Sequence, residues 1–453
     1  MSKLIVPPNI IGTNQSDLVQ GVDKGGIPSI GIEVLINGII DTRLGNDTIT
    51  GEGQGFYSSA IGISNDGTIK TGLGNDTIAG TGEGGSIPKY IYPGIGIFNS
   101  TTGIISAGLG NDTITGTGEG GSDNDDSKGI GISNQGKIST DAGNDNIKGI
   151  GTGGMYSGDG IGILSSGSVD GGTGNDSLIG TGSGNTIVYG GVGGQGIGIS
   201  NTGKINGNAG KDDIIGTGTG GDGPGNGGKG IGIQNTGSIS GGSEDDLITG
   251  IGKGSNSGGI GGDGIGIANT SDLGGGDGSD VLTGIGIGGK GGYGANGHGV
   301  GISNTAGRIS AGNGNDQILG YGTSVGIEGN GVNVVGIDGG VGDDLFKARK
   351  ISGLDAKNNP IESANQNGSV SSIFISGGKG KDIFDVGFGT AKLSGGQDYD
   401  TLILPILAKG TYTIGKPDVN GWLQITNTAS VNVLSVSSIE HILSGGVTLL
   451  NVS

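Results

Sequence analysis

The chain of 453 residues has no cysteine, which excludes disulfide staples and thiol chemistry. Basic residues are scarce: 23 Lys and Arg stand against 42 Asp and Glu, leaving a net charge of −19. A field of that sign repels phosphate backbones and anionic lipid, so no nucleic-acid partner is expected and divalent cations are favoured ones. No stretch approaches the ~18 apolar residues of a membrane span, so no transmembrane segment is expected. The opening MSKLIVPPNII places prolines where a signal peptide needs its apolar run, which reads as a chain without an N-terminal signal peptide. Two histidines (His298, His441) and three arginines (Arg43, Arg308, Arg349) are scattered. They offer no nucleophile–base pair and no carboxylate–arginine cleft of the kind a polysaccharide-cleaving enzyme needs, so no catalytic residue is expected. Hydrophobic residues reach only 31%, thin for one large spherical core but enough for a narrow core along a stack.

Glycine is what the sequence has in excess: 116 residues, about a quarter of the chain, against an ordinary ~7%. Among collagen, disordered linkers and repeats of tight turns, only the last predicts evenly spaced isoleucines between the glycines, and the isoleucines are evenly spaced. Aligning Gly-Asn-Asp-like triplets places an aspartate at Asp17, Asp47, Asp76, Asp112, Asp145, Asp176, Asp212, Asp246, Asp280, Asp316, Asp344 and Asp382. Successive anchors lie about 28 to 38 residues apart, a period of solenoids and propellers, and Asp400 follows after about 18 more.

Each unit carries three apolar segments. An alternating pair comes first, as in Ile61/Ile63, Ile130/Ile132 and Ile231/Ile233, and period two puts both members on one face of a strand. A single residue follows a turn, as in Ile69, Ile138 and Ile239; a third lies two residues past the aspartate, as in Ile49, Ile78, Ile114 and Ile248. Three short strands per unit describe one coil of a parallel β-helix, and stacking coils ~4.8 Å apart buries isoleucines that a lone coil cannot. The expected fold is therefore all-β, an elongated parallel β-helix or flatter β-roll solenoid on the order of 50–55 Å long, with glycine-rich loops and a β-rich C-terminal cap. The β-helix and the 18-residue β-roll both fit the pattern. The expected organisation is a cap or first degenerate repeat (1–29), the repeat solenoid (30–320), irregular repeats (321–385) and a C-terminal β cap (386–453). Asn65, Asn99, Asn134, Asn201, Asn235, Asn269 and Asn304, with Ser165 as the exception, either stack as an amide ladder or serve the left-handed geometry of a turn.

GGTGNDSLI (171–179), GGDGSDVLT (275–283), GGVGDDLFK (339–347) and GGKGKDIFD (377–385) match the nonapeptide G-G-x-G-x-D-x-U-x. These stretches resemble the haemolysin-type calcium-binding repeat of the RTX secreted proteins, with single copies dispersed where that family runs them in tandem. The resemblance implies Ca²⁺ held by turn carbonyls and by Asp47, Asp76, Asp112, Asp145, Asp176, Asp212, Asp246, Asp280, Asp316, Asp344, Asp382 and Asp400. It also implies export by a type I route, with an uncleaved signal in the C-terminal region. Electrostatics argues in the same direction. Carboxylates repeating every ~4.8 Å repel their neighbours by roughly 0.9 kcal/mol at ε ≈ 80 and roughly 3.5 at ε ≈ 20. The alternative is that each aspartate caps its own turn and binds no ion.

Insertions of changing length follow each GTGxGG, and Tyr57, Tyr90, Tyr92, Tyr156, Tyr189 and Tyr293 fall in or beside them, either covering the coil beneath or meeting a neighbour or glycan. The functional expectation is a secreted, calcium-stabilised structural protein of the cell surface or extracellular matrix, associating with itself as an oligomer or filament. The alternative is a calcium-dependent adhesin whose partner is an extracellular polysaccharide.

Overall fold

The computed structural model describes residues 2–86, 90–122, 126–187, 190–406, 411–428 and 430–451; Tyr189 lies outside them. The fold is all-β, and parallel strands stack as a β-solenoid with no helix among the described residues. One coil shows the plan. A first strand, Gly160–Ser165, turns into a second, Ser168–Thr173; the Gly-Asn-Asp corner leads to a third, Ser177–Ser183, and a loop climbs to the next coil. Each strand pairs in parallel with its counterpart one repeat later, so that Ile163 lies on Ile199, Val169 on Ile205 and Leu178 on Ile214. A whole unit of about 33 residues is thus one turn of a three-stranded β-helix, which decides against the 18-residue roll over the repeat region. Among the described residues no helix is long and apolar enough to cross a membrane.

The stacked residues form one continuous apolar core running from Val6 to Ile442. Ile63, Ile69 and Ile78 typify it, one from each strand of a coil and each at most 1% exposed. A fully buried isoleucine contributes about 1.5–3 kcal/mol, and in-register stacking repeats that gain with every coil.

Both members of each isoleucine pair do not share this core. Ile63, Ile97, Ile132, Ile163 and Ile199 belong to it, whereas Ile61, Ile95, Ile130, Ile161 and Ile197 do not. The reason is Gly62, which faces the third strand across the coil: a Cβ there would lie 2.6 Å from Gly96 O and 2.7 Å from Gly80 C. Ile61, beside it, points the other way, and the ladder skips the Gly62–Gly96 step before Ile63 turns inward. Strict period-two alternation is broken at the glycine.

This contact also explains the glycine content. Third and first strands pack backbone to backbone, with Gly216 against Gly232 and Gly180 against Gly198, at a separation that leaves no space for a side chain. Only a minority of the 116 glycines take positive φ, so close packing of two sheets, more than turn geometry, accounts for the excess.

The parallel columns continue past residue 386, because Leu393 and Leu402 still supply inward apolar residues and Asp400 the corner. Phe388–Gln397 and Thr401–Leu404 stack on Asn367–Lys379 and Ile383–Asp385, and are themselves covered by Val433–Ser437 and His441–Ser444. Antiparallel pairing then closes this end: Tyr412–Ile414 with Leu423–Asn427, that strand with Val433–Ser437, and His441–Ser444 with Val447–Asn451. Trp422 stands edge-on to Phe374 at 5.7 Å with the Lys392 ammonium 4.6 Å above its ring.

Candidate functional site

The Gly-Asn-Asp corner is built by two glycines in the left-handed region, Gly172 (φ 104°) and Gly174 (φ 120°), which a side chain would strain. The bend presents Asn175 outward and Asp176 inward: Asn175 is exposed and Asp176 buried. The two residues stitch coils together in opposite directions. Asp145 N–H donates to Asp176 Oδ1 at 2.8 Å, and Asp176 N–H to Asp212 Oδ1 at 2.7 Å, so each carboxylate accepts from the preceding coil. Asn175 N–H donates to Asn144 Oδ1, and Lys211 N–H to Asn175 Oδ1, so each amide accepts from the following coil. All the aspartates from Asp47 to Asp400 adopt this arrangement in one column. Capping of the residue's own turn occurs at Asp17, which accepts Thr13 N–H at 2.6 Å. The structural use of the asparagine goes unread in the sequence, although its recurrence beside the aspartate is the available signal.

Each aspartate in the column keeps a second oxygen with no hydrogen-bond partner. The Oδ2 atoms of Asp47, Asp76, Asp112, Asp145, Asp176 and Asp212 are buried and unsatisfied, and so are those of Asp246, Asp280, Asp316, Asp344, Asp382 and Asp400. None of these residues is more than 8% exposed. An orphaned buried acceptor costs about 1–3 kcal/mol, more when charged. Burial accordingly drives the carboxyls toward the protonated form: Asp112, Asp176, Asp246 and Asp400 rise to about 7 and Asp344 to about 8. Asp212, Asp280 and Asp382 rise to about 6. Desolvation is the largest cause throughout, opposed by the inter-coil N–H bond and, for Asp176 and Asp246, reinforced by neighbouring carboxylates in the column.

What faces Oδ2 depends on the residue five positions earlier. In several coils it is a glycine, and the place of its missing Cβ is flanked by two oxygens from consecutive coils. At Gly171 these are Asp176 Oδ2 at 2.6 Å and Gly207 O at 2.8 Å; the same pair of oxygen types borders Gly207, Gly241, Gly275, Gly339 and Gly377. A void of about 20 Å³, bordered by Asp145, Asp176, Asp212, Gly171 and Gly207, opens here; one water needs ~10–15 Å³. In other coils the niche is filled. Thr42, Thr71 and Thr140 occupy it, and their hydroxyls donate to the main-chain oxygens of Thr71, Ala107 and Gly171. Ala107 and Ala311 hold the equivalent position before Asp112 and Asp316.

The glycine niches offer the donor types a hard cation takes, since Ca²⁺ is bound by carboxylate and carbonyl oxygens together. Among the described residues no three His, Cys, Asp or Glu side chains gather into a metal-sized group, so main-chain carbonyls have to complete any such set. The column therefore divides. Asp176, Asp212, Asp246, Asp280, Asp344, Asp382 and Asp400 follow glycine at this position, and Asp47, Asp76, Asp112, Asp145 and Asp316 follow threonine or alanine.

The second polar column is an amide ladder inside the solenoid. Asn65 Nδ2 donates to Asn99 Oδ1 at 2.8 Å and Asn99 Nδ2 to Asn134 Oδ1 at 2.8 Å; Asn201, Asn235, Asn269 and Asn304 repeat the bond at 2.8–2.9 Å. Ser165 takes the place of an asparagine between Asn134 and Asn201 and accepts from Asn134 Nδ2 at 3.3 Å. Of the loop tyrosines, Tyr57 and Tyr293 are exposed, Tyr90 stacks on Tyr92 at 6.1 Å, and Tyr156 is half-buried. Arg349 differs from the other arginines: it is buried, bonding Asp385 and Glu362, and so fastens the hairpin strand Pro360–Glu362 to the solenoid. Compared with known proteins, the chain matches no family model and no curated protein.

Proposed function

We propose that the protein is a secreted structural rod of the cell surface or extracellular matrix whose solenoid is stabilised by Ca²⁺ in the glycine niches. The observation that carries this reading is the column of buried Oδ2 atoms without partners, seven of which face, at a glycine, a carbonyl of the next coil. Asp176, Asp212, Asp246, Asp280, Asp344, Asp382 and Asp400 would hold the ion; Asp47, Asp76, Asp112, Asp145 and Asp316 are left out, because the side chain of Thr42, Thr71, Ala107, Thr140 or Ala311 fills the niche. A bound cation supplies positive charge to oxygens that otherwise need a proton. The RTX resemblance of 171–179, 275–283, 339–347 and 377–385 supports the same ion and an extracellular site where calcium is abundant.

Self-association belongs to this reading. Among the described residues Leu4–Val6, in the first coil, pairs with Ser29–Val34 alone, and such an edge invites another copy. Hairpins close the opposite end, which favours discrete pairs over head-to-tail fibres. The deciding experiment is thermal unfolding of the full chain at pH 7.5 with millimolar Ca²⁺ or with chelator, followed by sedimentation. Calcium is expected to raise Tm by about 10 °C or more. Identical transitions in calcium and chelator would remove the metal from the account and leave the architecture.

A further inference from the structure

On the loop side of the solenoid, a trough of about 1030 Å³ runs along the axis across the loops of successive coils, from Asp126 through Tyr156 and Asp159 to Lys229 and Asp263. We propose that this trough is a binding site for a neutral oligosaccharide. The site lies outside the aspartate column, so its fate is independent of the calcium reading.

Three observations carry the inference. The first is the lining. Asp159, Gln195, Asn226, Lys229 and Asp263 bring carboxylate, amide and ammonium groups, while Tyr156 and the aliphatic Val192 and Ile260 bring apolar surface. Planar hydrogen-bonding side chains beside an aromatic ring suit a ligand that has hydroxyls on its edge and C–H groups on its face. The second is charge. Asp126, Asp159 and Asp263 outnumber Lys229 along the walls, and the whole chain carries −19, so uronates, sulfated glycans and phosphates are repelled. The third is the repeat. Asp159, Gln195, Lys229 and Asp263 occupy one position in four consecutive coils, just before the first strand. Coils rise by ~4.8 Å, a step close to the length of one pyranose unit, so a linear glycan along the axis meets a fresh polar side chain at each ring.

The wall is also held in place. Tyr156 (φ 66°) and Ser157 (φ 76°) are consecutive non-glycine residues in the left-handed region, an arrangement disfavoured for a bulky side chain. Ser157 Oγ donates to Asp126 Oδ1 at 3.1 Å, Gln195 N–H donates to Asp159 Oδ1 at 2.8 Å, and Lys128 Nζ pairs with Asp159 at 3.3 Å. The backbone strain is sustained in the element that carries the ring, as is common where a ligand is met.

Calorimetric titration of the full chain with 1,4-linked tetrasaccharides of β-glucose, β-mannose and α-glucose, and with the α-galacturonate tetramer, tests the proposal. Binding of at least one neutral tetramer is expected, with no heat from the galacturonate. Tyr156→Asn, which keeps a residue tolerant of positive φ, and Gln195→Ala, at an exposed side chain, are each expected to weaken binding about tenfold or more while leaving the β-sheet circular dichroism unchanged. The proposal is overturned if no neutral tetramer binds at millimolar concentration, if only the galacturonate binds, or if both folded variants bind as the parent does.

Discussion

Five residues before each aspartate of the column, a choice among glycine, threonine and alanine decides what the buried Oδ2 atom meets. Thr71 fills the niche and sends its hydroxyl to Ala107 O at 2.6 Å, whereas Gly241 leaves Asp246 Oδ2 facing Gly275 O with nothing between them. Gly241→Thr should therefore fold, since the chain already tolerates threonine at this place in other coils. It should lower the number of calcium ions bound by one, read by titration against a chromophoric chelator. Unchanged stoichiometry would show that the niche holds no ion. Asp246→Asn makes the complementary test. It keeps an oxygen for the Asp212 N–H and removes a carboxyl that burial and its neighbours push to about 7. In chelator at pH 7.5 this variant should be at least as stable as the parent, by chemical denaturation. Asp246→Ala should lose about 1–3 kcal/mol, because it strands the same N–H. A stability loss for the asparagine variant equal to that of alanine would contradict the assignment of the two oxygens.

At the scale of the strand, glycine acts by being absent. Gly216 in a third strand lies against Gly232 in a first strand, and a Cβ would come 2.7 Å from both Gly232 C and Ile233 Cγ1. Gly216→Ala should cost about 3 kcal/mol or more and lower Tm, while Thr217→Ala, on the outer face of the same strand, should stay within about 0.5 kcal/mol. Equal effects would mean that the two sheets do not meet as described. This contact also marks the limit of what the sequence discloses. The repeat, the three apolar segments and their in-register stacking are legible, because Ile63, Ile69 and Ile78 recur at a fixed place and only stacking buries them. The inward turn of Ile63 away from Ile61 is not legible, since it follows from how close Gly62 lies to the facing strand, a distance that period-two alternation does not encode. Spacing alone reveals the aspartates. It does not reveal the niche, because whether Gly171 leaves a hole or merely bends the chain depends on where Gly207 O lies, 36 positions later in the sequence but one coil away in space.

For the molecule as a whole, the aspartate column couples folding to pH and to calcium through one set of atoms. An unfolded aspartate has a pKa of ~3.9; in the folded column Asp176 and Asp246 stand at about 7 and Asp344 at about 8. Between those values the folded chain holds protons that the unfolded chain has released. The stabilising contribution of the column is therefore fully present below about pH 4 and is lost as the pH rises through 6 to 8. Every tenfold gain in a carboxyl's proton affinity on folding corresponds to about 1.4 kcal/mol, and the carboxyls titrate as a coupled set rather than as independent groups. In chelator, Tm should fall by about 10 °C or more between pH 5 and pH 8. Calcium takes the place of the proton, so the calcium-induced rise in Tm should be small at pH 5 and large at pH 8. Calorimetry in buffers of different ionisation enthalpy should then show protons released as the ion binds near pH 7. A chelated protein whose Tm climbs steadily from pH 5 to pH 8 would mean that the column is ionised and solvated when folded. The twelve unsatisfied oxygens would then be met by water, and neither proton nor metal would be needed to hold the rod together.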